Sequence, residues 1–414
     1  MSVDFVVLGA GMVGVCVALH LQKRGRAVAL LDRRGAAEET SFGNAGMIQR
    51  EAVFPHPFPR DFATVLRYAR NRSIDARYHL AALPQLAPFL WRYWRHSHPA
   101  RYAQIMTSHA RLIEHCVAEH DALAAEAGVT QLLRRDGWIR LYRTAEKRDA
   151  GIADAERARR DFGVAFQWLE AHELQSAEPH LAPAFVGGLH WTQPTTVADP
   201  QSLALAYLRH FESLGGRFVH ADAATLTANG AGWRIDTAEG PIDAGSAVIA
   251  LGPWADEATR RLGYDLPLAV KRGYHMHYRI QDGARLDHPV VDSERGYCLA
   301  PMRRGIRLTT GVEFALRDAP PTPVQLGRAE AVARDLFPLA ERVEPQPWIG
   351  ARPCTPDMLP VIGQAPRHRS LWFAFGHAHQ GFTLGAVTGR LLAELATGAE
   401  PLLDPTPYRA DRFL

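Results

Sequence analysis

Apolar positions along this chain fall into two rhythms, short unbroken runs and helical repeats, and their order sets the fold class. From Asp4 to Leu8 a short apolar run ends in glycine, the signature of a buried parallel strand. From Met12 to Lys23 the spacing is helical, with Gly14, Ala18 and Leu21 on one face; Arg24-Gly25 stops the helix, and Ala27 to Leu31 is a second apolar strand. The chain thus opens with a strand–helix–strand unit. Residues 61 to 130 read as mostly helical and carry the aromatic cluster Phe89, Trp91, Tyr93 and Trp94, while Trp138 to Tyr142 and Val186 to Trp191 read as strands. Asp199 can cap a helix that Pro200 begins and Gly215-Gly216 ends. Phe218 onward alternates as a strand, and Ala247 to Leu251 is a further buried one. Tyr274 to Ile280, Tyr297 to Pro301 and Ile306 to Val312 alternate polar with apolar, as an antiparallel sheet with one covered face would. Leu371 to Phe375 is again apolar, Gly376 to Gly381 is a turn, and Thr383 to Leu395 is a helix facing inward with Leu384, Val387, Leu391 and Leu395. The expectation is an α/β composite. A nucleotide-binding α/β part is assembled from residues 1–60, 196–262 and 345–414, interleaved with a mainly antiparallel part from 61–195 and 263–344.

Composition narrows this picture. A chain of 414 residues with 47% hydrophobic and 22% charged residues can build a large core. A net charge of +3, evenly spread, gives no reason to expect nucleic acid. The four cysteines form no C-x-x-C pair and no framework, so a reducing compartment is expected. The opening residues lack a basic segment before their apolar run, and no stretch of about 18 apolar residues occurs. A cytoplasmic protein without a membrane span is expected, with attachment to the inner membrane face left open.

The first chemical signal is Gly9-Ala10-Gly11-Met12-Val13-Gly14 between strand and helix. Gly9 permits a tight turn, Gly11 lets backbone approach a pyrophosphate, Gly14 packs helix on strand, and the helix N-terminus favours the phosphates. Asp32, followed by Arg33, ends the second strand where an acid bonds a ribose hydroxyl. The same fingerprint serves NAD and FAD. A second glycine-rich loop, Ser41-Phe42-Gly43-Asn44-Ala45-Gly46, offers close backbone and the polar side chains of Ser41 and Asn44, or is an ordinary polar turn.

With these motifs the sequence resembles the D-amino-acid-oxidase-like superfamily of flavoproteins, which includes glycine oxidases and D-amino-acid dehydrogenases. Further carriers are Ala250-Leu251-Gly252-Pro253-Trp254, Gly350-Ala351-Arg352-Pro353 with the following Thr355 to Gly363, and Gly376-His377-Ala378-His379-Gln380-Gly381-Phe382-Thr383. The resemblance implies a Rossmann-like FAD-binding domain beside an antiparallel substrate domain. It implies flavin contacts from Gly9, Gly11, Met12, Val13, Gly14, Asp32, Arg33, Ser41, Asn44, Ala45, Gly46, Gly252 and Trp254, and from Gly376, His377, Gln380, Gly381, Phe382 and Thr383. The last group ends a strand and starts a helix, so its N–H groups can meet the negative charge of a reduced flavin.

The resemblance also places Arg352 as a bidentate clamp on a substrate carboxylate and Tyr297 as a pocket hydroxyl sharing it. Where glycine-oxidase-like relatives hold a second basic residue, this chain has His379. No metal ligand set is expected. The implied reaction is hydride transfer from the substrate Cα to the flavin N5. Lys271-Arg272-Gly273-Tyr274-His275-Met276-His277-Tyr278 looks similar to the corresponding segment of bacterial D-proline and cis-4-hydroxy-D-proline dehydrogenases, which favours a D-amino acid or imino acid. Glycine or sarcosine oxidation, an NAD-dependent dehydrogenase, and the flavin subunit of a hetero-oligomer are the alternatives. The electron acceptor is left open among quinone, partner protein and oxygen.

Overall fold

The computed structural model describes residues 1–281 and 283–414. Two large sheets organise it. The first has eight strands, and its parallel centre runs Leu371–Phe375, Ile242–Ile249, Ser2–Leu8, Val28–Asp32, Arg217–His220. Its strands are near-continuously apolar because both faces are covered. Val7, Leu30 and Val248 face a layer of helices, whereas Val6, Ala29 and Ile249 face Ala255 and Ala258. Ile242–Ile249 uses one edge twice: its start pairs antiparallel with Gly232–Ile235 and its end parallel with Leu371–Phe375.

Helices Met12–Lys23, Pro99–Glu126, Pro200–Ser213 and Gly381–Thr397 form the layer on the first face. Asp199 caps the third of these, its side chain accepting from the Ser202 N–H at 3.1 Å, with Pro200 at the first helical position. Pro99–Glu126, expected with the antiparallel part, therefore buries Leu112, Ile113 and Cys116 in the core of the nucleotide-binding layer. Among the described residues no helix is long and apolar enough to cross a membrane.

The second sheet has eleven strands, and Ala269–Ile280 is its spine. One edge of the spine carries Gly305–Thr310 and Val312–Phe314; the other carries Trp348–Cys354 and Leu339–Arg342. Three expectations change here. Trp348–Cys354 belongs to this sheet, although residues from 345 onward were expected in the nucleotide-binding part. The run Ile306 to Val312 is two strands broken at Gly311, where a Cβ would stand 2.1 Å from the Asp75 carbonyl oxygen. The spine is buried on both faces from Arg272 to Tyr278, because helix Val324–Leu336 covers one face and the site layer the other. The mostly helical stretch 61–130 is also interrupted, by the short strand Ala76–Tyr78 that pairs with Val312–Phe314.

Candidate active site between the two sheets

A cavity of about 1690 Å³ is lined by residues of both sheets. Gly9, Gly11, Met12, Val13, Asp32, Arg33, Gly252 and Trp254 line one part of it. The carboxylate of Asp32 is held in place, accepting from the Ala10 N–H at 2.8 Å and the Arg34 N–H at 2.9 Å. Gly14 does not line the cavity. A Cβ there would stand 1.8 Å from the Gly9 carbonyl oxygen, so its task is the close approach of helix to turn. The guanidinium of Arg33 lies 4.9 Å from the Trp254 ring centroid.

The second glycine-rich loop contributes Ser41, Asn44 and Ala45 to the cavity wall. The Ser41 Oγ accepts from the Met12 N–H at 2.9 Å, tying this loop to the first helix, and the Asn44 Oδ1 accepts from the Gly46 N–H at 2.8 Å. Gly46 itself turns from the cavity toward the Val197 carbonyl. Beneath the loop lies a chain that sequence reasoning missed. Buried Arg307 donates from Nη1 to the carbonyls of Phe42, at 2.9 Å, and Asn44, and from Nε to the His277 Nε2 at 2.9 Å. That contact assigns the proton of His277 to Nδ1, which meets the Glu344 carboxylate at 2.8 Å. Burial pulls the Arg307 pKa down to about 10. Its only sequence signal is the alternation of Gly305–Thr310, which puts Arg307 on the face it shares with its cross-strand partner His277.

Further along the cavity, Lys271 and Arg352 are cross-strand partners on Ala269–Ile280 and Trp348–Cys354. Like charges placed opposite one another repel. Among the described residues, the Arg352 side chain donates only to the carbonyls of Gly311, at 2.9 Å, and Thr310, at 3.3 Å. Lys271 donates to the Tyr93 hydroxyl at 2.9 Å and lies 4.0 Å from that ring's centroid. Among the described residues, neither cation has a carboxylate within ion-pair distance. Burial shifts the Arg352 pKa downward. Both side chains are half-buried, and a charge partly withdrawn from water without its counterion is costly, so the pair suits an anion from outside the chain.

His379 lines the same region, its ring centroid 5.1 Å from that of His56. Burial first, then the neighbouring His56, Arg352 and Lys271, holds His379 well below its ordinary value. Burial, with Lys271, Arg140 and Arg352, lowers His56 to about 4, although the imidazole is open to the cavity. Both shifts favour the neutral imidazole. The Gln380 Nε2 donates to the His379 Nε2 at 2.9 Å, which assigns the His379 proton to Nδ1. The place expected for a second cation thus holds an imidazole, and Lys271 brings a positive charge to the same cavity from another strand.

Other expected residues are redistributed. Tyr297 pairs with Thr310 and Asp292, which puts its side chain on the face shared with Leu299 and Tyr274, opposite the face of Arg352. Its hydroxyl is buried beside the Arg143–Asp292 ion pair, and burial raises its pKa. Tyr297 nonetheless borders the cavity, and its share in a carboxylate clamp remains an expectation. Gly381, Phe382, Gln380 and His377 line the cavity, whereas Gly376 and Thr383 do not. The Thr383 hydroxyl donates to the Met47 carbonyl at 3.2 Å and accepts from the Gln49 N–H at 3.3 Å, so it fastens a helix to a loop. His377, lowered to about 3 by burial, bonds the Thr388 hydroxyl at 3.0 Å. Gly376 adopts φ +84° and packs against Thr355.

The donor set fits FAD. The glycine turn and helix N-terminus suit a pyrophosphate, and the buried, unpartnered Gln380 Oε1 offers an acceptor in the cavity wall. Helix Gly381–Thr397 begins at the cavity with no side-chain cap, so its first N–H groups suit developing negative charge. Bound there, FAD supplies the acceptor for a hydride.

Comparison with known proteins agrees. The family described as "FAD dependent oxidoreductase" (DAO) matches residues 4–395, and the chain belongs to that family of flavoenzymes. The chain is 31% identical to a protein of Bradyrhizobium diazoefficiens named D-amino-acid oxidase, over 99% of this chain and 98% of that one. It is 30% identical to a D-amino acid dehydrogenase of Chromohalobacter salexigens, over 99% of each. Among solved structures, glycine oxidase from Geobacillus kaustophilus shares the fold with a TM-score of 0.75 at 24% identity, covering 100% of this chain and 99% of that one.

Proposed function

We propose that the chain oxidises a D-amino acid or cyclic imino acid at its α-carbon, with D-proline or cis-4-hydroxy-D-proline the favoured substrate. The observation that carries this reading is the Lys271–Arg352 pair, two cations facing one another across adjacent strands on the cavity wall, neither of them within ion-pair distance of a carboxylate among the described residues. An α-carboxylate supplies the missing charge, and the planar fork of Arg352 can hold both of its oxygens. That grip fixes which substituents of the α-carbon face the rest of the cavity, which is catalysis by positioning.

The neutral state of His56 and His379 supports the same reading. A nitrogen nucleus approaching these rings meets hydrogen-bonding groups rather than cations, so the amine can bind uncharged, and no separate base is needed. The names of the relatives support the D configuration, and the Lys271 to Tyr278 segment supports a cyclic substrate.

The test is a visible spectrum of the purified holoenzyme, followed without oxygen as D- and L-amino acids are added, including both epimers of 4-hydroxyproline. Bleaching by D-proline or cis-4-hydroxy-D-proline is the expected result. Bleaching by glycine or sarcosine alone would replace the substrate and keep the chemistry, and bands that stay oxidised throughout would sink the amino-acid reading. Reoxidation by air against reoxidation by a dye then distinguishes an oxidase from a dehydrogenase.

A further inference from the structure

Helix Phe62–Ala69 carries Phe62, Val65, Leu66 and Ala69 at helical spacing, the pattern by which a helix buries one face, yet none of its residues is buried. Phe62 is 79% exposed, Leu80 just beyond it 72%, and Trp91 on the following helix Leu83–His96 59%. Phe62 and Trp91 are linked through Arg60 and Trp94. Trp91 stacks on Trp94 with ring centroids 5.1 Å apart, and the Arg60 guanidinium, two residues before Phe62, lies 4.1 Å from the Trp94 ring centroid. Leu83–His96 buries Leu86, Phe89 and Tyr93 on its other side, so its aromatic content is divided between core and solvent.

The charge of this surface is equally one-sided. Residues 58–102 contain eight arginines, and their only acids are Asp61 and Asp75. Both acids are engaged: Asp61 caps its helix by accepting from the Thr64 N–H, and Asp75 pairs with Arg67 at 3.1 Å. Arg70, Arg72, Arg92 and Arg95 are exposed and form no ion pair with described residues. Exposed aromatic and aliphatic side chains among unpaired arginines match the boundary of an anionic bilayer, where the rings enter the headgroup layer and the guanidiniums meet phosphates. Val65, Tyr68, Ala69 and Leu90, on the same two helices, line the cavity.

We infer that the surface formed by Phe62–Ala69 and the solvent side of Leu83–His96 docks on an anionic lipid bilayer, with the cavity opening beside it. The proposal is independent of which substrate is oxidised.

Sedimentation of the holoenzyme with sucrose-loaded vesicles tests it. The protein should pellet with phosphatidylcholine vesicles containing phosphatidylglycerol and stay in solution with pure phosphatidylcholine. Binding should weaken as salt is raised, and brominated lipid should quench tryptophan fluorescence. Arg70→Gln and Arg92→Gln should each weaken binding about fivefold. Phe62→Ser combined with Trp91→Ser should abolish the quenching while the flavin spectrum is unchanged. Equal partition into both vesicle types, or no binding to either, overturns the inference, and the wild-type result alone decides it if a variant fails to fold.

Discussion

On the strand Ala269–Ile280 the side chains of Lys271 and Arg272 point to opposite faces of the sheet, and the two faces treat positive charge differently. Arg272 is buried and fully answered. It donates to the Glu313 Oε2 from Nε at 2.8 Å and from Nη2 at 2.6 Å, while the Tyr274 hydroxyl adds a bond to the same oxygen at 2.9 Å. Burial works against the ionised Glu313, but bonds from Thr322, Arg272 and Tyr274 outweigh it and hold its pKa below the ordinary range. Across the sheet, Lys271 and Arg352 face each other with no such answer. The charge on the covered face is neutralised within the chain, and the two charges on the cavity face have no carboxylate within ion-pair distance among the described residues. The deficit, rather than the presence of a cation, marks the site.

The largest expected effect tests the first half of that contrast. Arg272→Ala strands the Glu313 carboxylate in the core and should cost about 3–5 kcal/mol in thermal or denaturant unfolding. Arg352→Met should do the reverse, leaving the unfolding midpoint near that of the wild type and lowering kcat/KM at least about a hundredfold. A large loss of stability in Arg352→Met would erase the distinction between the faces. Lys271→Met removes one member of a repelling pair, so the melting temperature should hold or rise while carboxylate affinity, read from inhibitor titration, falls about tenfold.

The smallest effect concerns acid. Burial lowers His109 and His120 to about 4 and His377 to about 3, all below their unfolded value near 6.5. The unfolded chain therefore binds more protons, and stability is complete above pH 6.5 and lost as pH falls toward 4. Each histidine contributes at most about 1.4 kcal/mol per pH unit, and His109→Gln should flatten a plot of melting temperature against pH by one such share.

Legibility in the sequence followed the kind of constraint involved. The glycine turn was readable because its constraint is backbone contact between near neighbours, as at Gly14 against Gly9. The sheet layout was readable for the same reason, except where an element joined a distant partner, as helix Pro99–Glu126 and strand Trp348–Cys354 do. The place of Arg352 on the cavity wall was readable through its motif. Lys271 was not, because its meaning depends on register with a strand about eighty residues away. For Tyr297 the motif led to the cavity wall but not to a face: a one-residue step along a strand exchanges the faces, and motif position does not say which face is served. The Arg307–His277–Glu344 chain joins two strands to the bend between Leu339–Arg342 and Trp348–Cys354 and has no local pattern.

The place of Ile242–Ile249, between Ser2–Leu8 on one edge and Leu371–Phe375 on the other, has a consequence for synthesis. The sheet's inner strands come from the beginning, the middle and nearly the end of the chain. On the ribosome the opening unit emerges with its glycine turn already encoded but with one flank of its future neighbour still unmade. Non-local pairing of this kind is slow, and exposed edges invite aggregation while it is incomplete. A nascent chain that stalls before Leu371 therefore presents an open strand edge, and shielding it is work for a chaperone until translation ends.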